Sequence, residues 1–285
     1  MFDKTIVISS PGTSLAVTAN HFTLRSSGKK IGRIPLTMIG QMIVHSGVEV
    51  TQKAFERLGT LGIPVTFLNR EGRVRFRLVA PWKYDATPRI EQSRIYLDPE
   101  SRLILARRWV DAKLANGSAV LQRHSGNYPD PEIRAAAAKL RALRANVAEA
   151  RDLPTLLGFE GLGGKTYFSV FNRMIRAQWA AFSGRNRHPP TDPVNALLSY
   201  TYAVLRNELL ALVEGCGLDA YIGYLHQPEA RRPSLALDLM EPFRPVLADR
   251  LVLRLMNVGT LKPEHFESRA PQPGTAITLD GRRAI

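Results

Sequence analysis

The stretch from Pro81 to Pro88 divides this chain into two parts with different hydrophobic periods, and that change restricts it to an α+β fold with its strands gathered at the front. Before the stretch, short β-rich runs alternate with turn residues: Thr5 to Ser9, Ser14 to Thr18, His21 to Arg25, Lys30 to Pro35, Ile63 to Leu68 and Arg73 to Val79. Pro11-Gly12, Ser27-Gly28 and Glu71-Gly72 punctuate them. One helix interrupts the series, roughly Thr51 to Leu61, with Val50, Ala54, Leu58 and Leu61 on one face. The expected architecture is an N-terminal β-sandwich domain over residues 1–80, a linker over 81–88, and a larger all-α C-terminal domain over 89–285.

Past the linker the pattern is helical. Arg89 to Asn116 has amphipathic periodicity and is expected to stop at Asn116-Gly117. Ser118 to Pro131, with Gly, Asn and two Pro, reads as a loop or a break. Pro131 to Ala150 is built from strong helix formers. Lys165 to Phe182 reads as a helix with Tyr167, Phe168, Phe171, Ile175 and Trp179 in the core. Asp192-Pro193 supplies an N-cap and a first-turn proline for a helix running to Gly215, apolar nearly all round and therefore expected to be central and buried. A last helix is expected from about Asp238–Pro242 to Asn257, with Pro242 and Pro245 in or near its first turn.

Composition narrows the function classes. At 45% hydrophobic residues over 285 positions the chain is globular. Its 39 Lys and Arg against 25 Asp and Glu leave a net charge of +14, a footprint suited to phosphate backbones, although a high-GC genome rich in Arg codons gives the same count. Arg73, Arg75 and Arg77 alternate with Val74, Phe76 and Leu78, so a strand there puts three arginines on one face, either a solvated face or a basic stripe. Cys216 is the only cysteine, which excludes an intramolecular disulfide and fits a reducing compartment. The N-terminus has no signal-peptide pattern, and no apolar run is long enough to span a bilayer. The expected location is cytoplasmic.

Three constellations carry chemistry. Gly158 to Phe168, G-F-E-G-L-G-G-K-T-Y-F, ends like a P-loop, but the first glycine that motif needs falls on Phe159 and no strand precedes it. It reads as a flexible glycine-rich connection holding Glu160. The run Gly223 to Arg244 contains His226, Asp238 and Glu241. The last two have the spacing of a helix capping box, and the same spacing places two carboxylates on one side of a turn. A histidine with carboxylates suits Mg2+ or Mn2+, which can polarise a phosphodiester. Ser183 to Pro190, S-G-R-N-R-H-P-P, sets Arg185, Arg187 and His188 in a proline-flanked loop, either solvated or placed for phosphate contacts.

Taken together, G-F-E-G around Glu160, R-N-R-H-P-P-T-D-P-V-N-A-L-L-S-Y-T-Y from Arg185, G-L-D-A-Y-I-G-Y-L-H ending at His226, and S-L-A-L-D-L-M-E-P-F-R-P from Ser234 to Pro245 resemble the CRISPR-associated integrase/endonuclease family of spacer acquisition. The resemblance spans almost the whole chain. It implies a β-sandwich joined to a helical domain, and a divalent-metal site in which Glu160, His226 and Asp238 hold Mg2+ or Mn2+ and are catalytic. Glu241 matches an acidic position near the metal. It also implies a homodimer formed through the β-domain, with two dimers flanking a dimer of a small ferredoxin-like CRISPR-associated partner. The substrate is DNA, whose 3′-hydroxyl ends are joined to a CRISPR array. Arg185, Arg187, His188 and Arg244, with Arg73, Arg75 and Arg77, are the expected DNA contacts. Members of that family usually continue with a further helix past the segment resembling G-T-A-I-T-L-D-G-R-R, whereas this chain stops at Ile285. A non-catalytic DNA-binding assembly subunit is the alternative that the same charge and fold allow.

Overall fold

The computed structural model describes residues 4–69, 74–78, 85–187, 189–268 and 274–285. The chain forms two compact units, Met1–Arg89 with Ala211–Leu218, and Ile90–Leu210 with Asp219–Ile285.

Among the described residues the first unit holds eight strands: β1 (Lys4–Ile8), β2 (Thr13–Val17), β3 (His21–Ser26), β4 (Lys29–Pro35), β5 (Ile39–Val44), β6 (Glu49–Val50), β7 (Val65–Leu68) and β8 (Val74–Leu78). They form two four-stranded sheets ordered β1-β5-β7-β8 and β4-β3-β2-β6. Ser27 and Gly28, both at positive φ, make the two-residue turn between β3 and β4. Helix α1 (Gln52–Thr60) is capped by Thr51, whose hydroxyl accepts from the Ala54 amide at 3.4 Å. Leu15 and Phe22 from one sheet, Met42 and Val65 from the other, and Leu58 of α1 share one apolar cluster.

Two strands, β5 and β6, lie where the sequence shows no strand pattern. In β5 the buried residues are Ile39, Met42 and Val44, which do not alternate. The register with β1 explains this: Lys4 faces Ile39 but Thr5 faces Gln41, so Gly40 is an extra residue that breaks the period of two. The arginine stripe is also corrected. Arg77 is turned into an ion pair with Glu214 at 3.0 Å, its side chain only 9% exposed. Phe76, which alternation sets on the face opposite the arginines, is exposed and stacks on Phe67 with centroids 4.3 Å apart. Arg75 is exposed, and Arg73 lies outside the described residues.

The second unit is mainly helical: α2 (Thr87–Leu97), α3 (Pro99–Asn127), α4 (Pro131–Glu149), α5 (Leu153–Ser169), α6 (Pro193–Gly215, which runs on into the first unit), α7 (Ser234–Met240), α8 (Arg250–Asn257) and α9 (Leu279–Ala284). It is not all-α, because β9 (Phe266–Ser268) pairs antiparallel with β10 (Thr275–Ile277). The expected start at Asp192-Pro193 is present, with the Asn195 amide donating to Asp192 at 2.8 Å. Burial of α6 is complete only near its start, as Val204 and Leu212 are exposed.

Asp98-Pro99 and Asp130-Pro131 are helix starts of the same kind, with their carboxylates accepting from the amides of Ser101 and of Glu132 and Ile133. Asp98-Pro99 therefore splits the single helix expected from Arg89, and Pro88 lies inside the first turn of α2 rather than in a linker. Gly117 does not end α3. A Cβ there would make ordinary contact with Leu140 at 3.4 Å and Tyr167 at 3.5 Å, so the helix runs through the position packed against α4 and α5. The glycine-rich run is likewise helix, inside α5, rather than a flexible connection.

Gly163 of α5 is buried, and an added Cβ would sit 2.2 Å from Leu114 Cδ2, itself in the core. Gly158 on the same helix is exposed, with no atom near. Gly163→Ala is expected to lose about 1–2 kcal/mol through overpacking, whereas Gly158→Ala gains about 0.5–1 kcal/mol of helix propensity. Urea unfolding of both variants checks this contrast.

The helix read over Lys165 to Phe182 stops at Ser169. A 3-10 turn (Phe171–Met174) and irregular chain follow it. The helix expected from Asp238 to Asn257 is three pieces: α7, a π-helical turn (Arg244–Asp249), and α8. Asp238 is thus near the end of a helix and Glu241 is its C-cap, so the pair is not an N-terminal capping box.

Candidate active site

Close packing builds the site from the segment before α7. Gly223 has no room for a side chain: a Cβ would lie 2.5 Å from Ser234 Cβ and 2.8 Å from the His226 carbonyl oxygen. Gln92 of α2 grips this segment, donating to the Asp219 and Ile222 carbonyls at 2.7 and 3.2 Å and accepting from the Asp219 amide at 2.8 Å. Arg102 of α3 donates to the Tyr224 carbonyl at 2.8 Å.

The turn held in this way wraps around Asp238. Its Oδ2 accepts from the Tyr224 and Leu225 amides at 2.6 and 2.9 Å, and its Oδ1 from the His226 amide at 3.0 Å. Oδ1 also lies 2.6 Å from His226 Nδ1. The carboxylate is fully buried, and all four contacts come from this one turn. Asp238 therefore fixes the His226 ring and leaves Nε2 as its outward nitrogen.

Glu160 and Glu241 meet at a different group. Lys113 of α3 forms an ion pair with Glu160 Oε1, and its Nζ lies 2.6 Å from Glu241 Oε2. Asn116, one turn further along α3, donates to the Pro242 carbonyl at 2.8 Å and so ties Lys113's helix to the loop after α7. Arg244 reaches the other Glu241 oxygen at 3.1 Å. Burial pushes the Glu241 carboxyl up, but Lys113 and then Arg244 more than offset it, and His226 adds a smaller pull. The net position is below the ordinary value.

Glu160, His226, Asp238 and Glu241 are thus brought to one region as two pairs, Glu160 with Glu241 through Lys113, and His226 with Asp238. Among the described residues, no group of three or more His, Cys, Asp or Glu converges as a metal cluster. The donor set of two carboxylates and one imidazole nitrogen suits Mg2+ or Mn2+, and the ammonium between the carboxylates marks a position that accepts positive charge.

A cavity of about 570 Å³ lies beside Lys113 and Glu160 and is also lined by Arg185, Arg187, Arg244 and Asp249. Arg187 is exposed. Arg185 is engaged with the protein: its guanidinium donates to Asn195 Oδ1 at 2.8 Å and to Ser199 Oγ at 3.1 Å, and burial pulls it below its ordinary pKa. His188 lies outside the described residues.

Sequence reasoning missed Lys113 and a buried group at the cavity wall. The Tyr202 hydroxyl donates to Asp249 at 2.6 Å, and Arg244 lies over the Tyr202 ring at 4.9 Å. Burial, then Asp249's charge, pushes Tyr167 and Tyr202 well above the ordinary tyrosine value. Burial raises Asp249 to about 6 from 3.8, against the opposing effects of the Tyr202 hydrogen bond, Arg244 and Lys113. Because the folded-state value is raised, the stability this group contributes is full below about pH 4 and is lost as pH rises through about 6, a change of about 3 kcal/mol. Asp249→Asn should therefore show a smaller fall in Tm between about pH 4 and pH 7 than the parent chain. Parallel falls would place the pH dependence elsewhere.

The profile of the family described as "CRISPR associated protein Cas1" matches residues 6–285. A "CRISPR-associated endonuclease Cas1" of Rhodospirillum rubrum is 34% identical over 292 residues, covering 99% of this chain and 84% of its own length. Its counterpart in Chlorobaculum tepidum is 33% identical over 288 residues, covering 99% and 84%. A solved CAS1 protein from Thermotoga maritima superposes with a TM-score of 0.81 at 26% identity, over 98% of this chain and 87% of its own. Two more distant structures share the fold. One is a casposase bound to an integration product (TM-score 0.80, 22% identity, 99% and 80% coverage), the other a Cas6-RT-Cas1–Cas2 complex (0.78, 24%, 99% and 31%).

Proposed function

Since the chain belongs to the CRISPR-associated Cas1 family, we propose that it is a divalent-metal-dependent DNA endonuclease and integrase, joining the 3′-hydroxyl ends of short DNA fragments to a CRISPR array by transesterification. The observation that carries this reading is the convergence of Glu160 and Glu241 on one cation, beside a histidine whose ring is fixed by a buried carboxylate. Glu160, Glu241 and His226 Nε2 would hold Mg2+ or Mn2+. Asp238, assigned as a ligand by the family resemblance, has its oxygens taken up by three amides and the imidazole and acts as the residue that orients His226.

A bound metal would polarise the target phosphate and favour ionisation of the attacking hydroxyl. The protein's own groups do the rest. Arg187 and Arg244 present positive charge to the phosphate backbone from the cavity wall, with Arg185 holding that wall in place. In strand transfer one P–O bond forms as another breaks; with water as nucleophile the same site cleaves DNA. The two sheets around one apolar cluster read as the layers of a sandwich, and this unit is the proposed homodimer surface. A small ferredoxin-like partner, like the Cas2 named in the Cas6-RT-Cas1–Cas2 complex, would complete the assembly.

The test is to incubate the chain and its partner with 3′-ended and branched DNA in Mg2+ or Mn2+ and in chelator. Metal-dependent products are expected, and undiminished product under chelation removes the reading. The occupation of Glu160 and Glu241 by the Lys113 ammonium is the observation that favours a second reading, a non-catalytic assembly subunit. That reading expects DNA binding with no metal-dependent product. In either case binding weakens with salt, and Arg187→Ala should lower the slope of log K against log salt by about 1.

A further inference from the structure

Lys113 bears on how a metal enters the site. Its side chain is 13% exposed, between Glu160 at 21% and Glu241 at 3%. Two carboxylates this close and this buried repel unless a cation lies between them. Their separation in the chain makes the contact a tertiary one: Lys113 reaches from α3 to α5 on one side and to the cap of α7 on the other. Lysine is suited to a removable role, because its ammonium is a point charge on a flexible four-carbon stem rather than a rigid fork. Space is also present, since Lys113 lines the 570 Å³ cavity into which that stem can turn.

We infer that Lys113 is a resident counter-cation: it fills the position between Glu160 and Glu241 in the metal-free chain and withdraws into the cavity when a divalent cation binds. The inference rests on the metal-site reading above. It makes Lys113 a positioning residue that holds the two carboxylates in place, at the expense of metal affinity. Metal entry is then an exchange of one cation for another, and net charge at the site rises by one rather than two.

The experiment measures Mn2+ binding to the full chain by electron paramagnetic resonance for the parent, Lys113→Met and Glu160→Gln. Lys113→Met is expected to bind Mn2+ at least about tenfold more tightly, since a competing buried charge has been removed. Glu160→Gln is expected to bind much more weakly. If the parent binds and Glu160→Gln does not, but Lys113→Met binds equally or less well, the exchange is overturned and the metal site stands. If no form binds Mn2+, both are overturned. A second measurement avoids dependence on the variant's folding. In the parent chain, reductive methylation followed by peptide mass spectrometry should find Lys113 protected without metal and modified several-fold faster with Mg2+. Equal protection in the two conditions overturns the exchange.

Discussion

Asp238→Ala should destabilise the protein by about 3–5 kcal/mol, the largest loss expected of any single substitution at the site. The carboxylate is fully buried and accepts from three consecutive amides, so its removal strands the Tyr224, Leu225 and His226 donors in an interior with no other acceptor for them. Denaturant unfolding followed by circular dichroism checks the magnitude. Were Asp238 a metal ligand alone, the variant would instead stay folded and lose only the metal. Asp238→Asn separates the two effects. One amide oxygen still accepts, while the NH2 group faces donors, so stability falls by less but His226 loses its fixed orientation. An alanine variant as stable as the parent would show that the turn does not depend on this carboxylate.

Glu160→Gln and Glu241→Gln should each lower DNA cleavage and strand transfer by at least about a thousandfold, with product formation timed in saturating Mg2+. Their stability costs differ. Glu160 is the more exposed of the two and meets Lys113, whereas Glu241 is almost fully buried and meets both Lys113 and Arg244. Glu241→Gln is therefore expected to be the less stable variant, leaving two cations facing a neutral amide. The comparison also ranks the acidic residues. If Glu241→Gln retains full activity while a folded Asp238→Asn is inactive, the ligand set is Glu160, His226 and Asp238, and Glu241 is structural.

The two carboxylates show where the sequence was legible and where it was not. Spacing alone placed Asp238 and Glu241 on one side of a turn, and they are so placed; it could not tell the start of a helix from its end, because three residues apart is the same distance at either. Which of the two faced backbone amides depended on Gly223 meeting Ser234, a contact between segments that no local pattern encodes. Lys113 was invisible for a related reason: one lysine in a helix rich in basic residues has no mark that it faces inward. Elsewhere the signals were present but carried two meanings. Gly117 and Gly163 read as helix breakers, yet both lie inside helices, and at Gly163 the missing side chain makes room for Leu114 of α3. Asp98-Pro99 and Asp130-Pro131 have the same capping chemistry as Asp192-Pro193, but no turn residues just before Asp98 set it apart from the helical pattern around it. In the first unit the other strands are readable as β-rich runs between turn residues, whereas β5 escapes where Gly40 interrupts its alternation and β6 because it has only two residues.

The π-helical turn Arg244–Asp249 carries a constraint of another kind. Tyr202 is clasped at both ends by residues five apart, Arg244 over its ring and Asp249 at its hydroxyl. Side chains five positions apart on an α-helix point about 140° apart, whereas the wider π-helical turn, with more residues in it, brings Asp249 nearer to the side of Arg244. The grip on Tyr202 therefore depends on how many residues the segment contains as well as on which they are. Inserting one residue between Arg244 and Asp249 would set them six apart, about 120° around an α-helix, and swing one end of the clasp away, with every residue of the pair still present. In this segment length is under the same restriction as identity, and a scan of point substitutions would leave that restriction undetected.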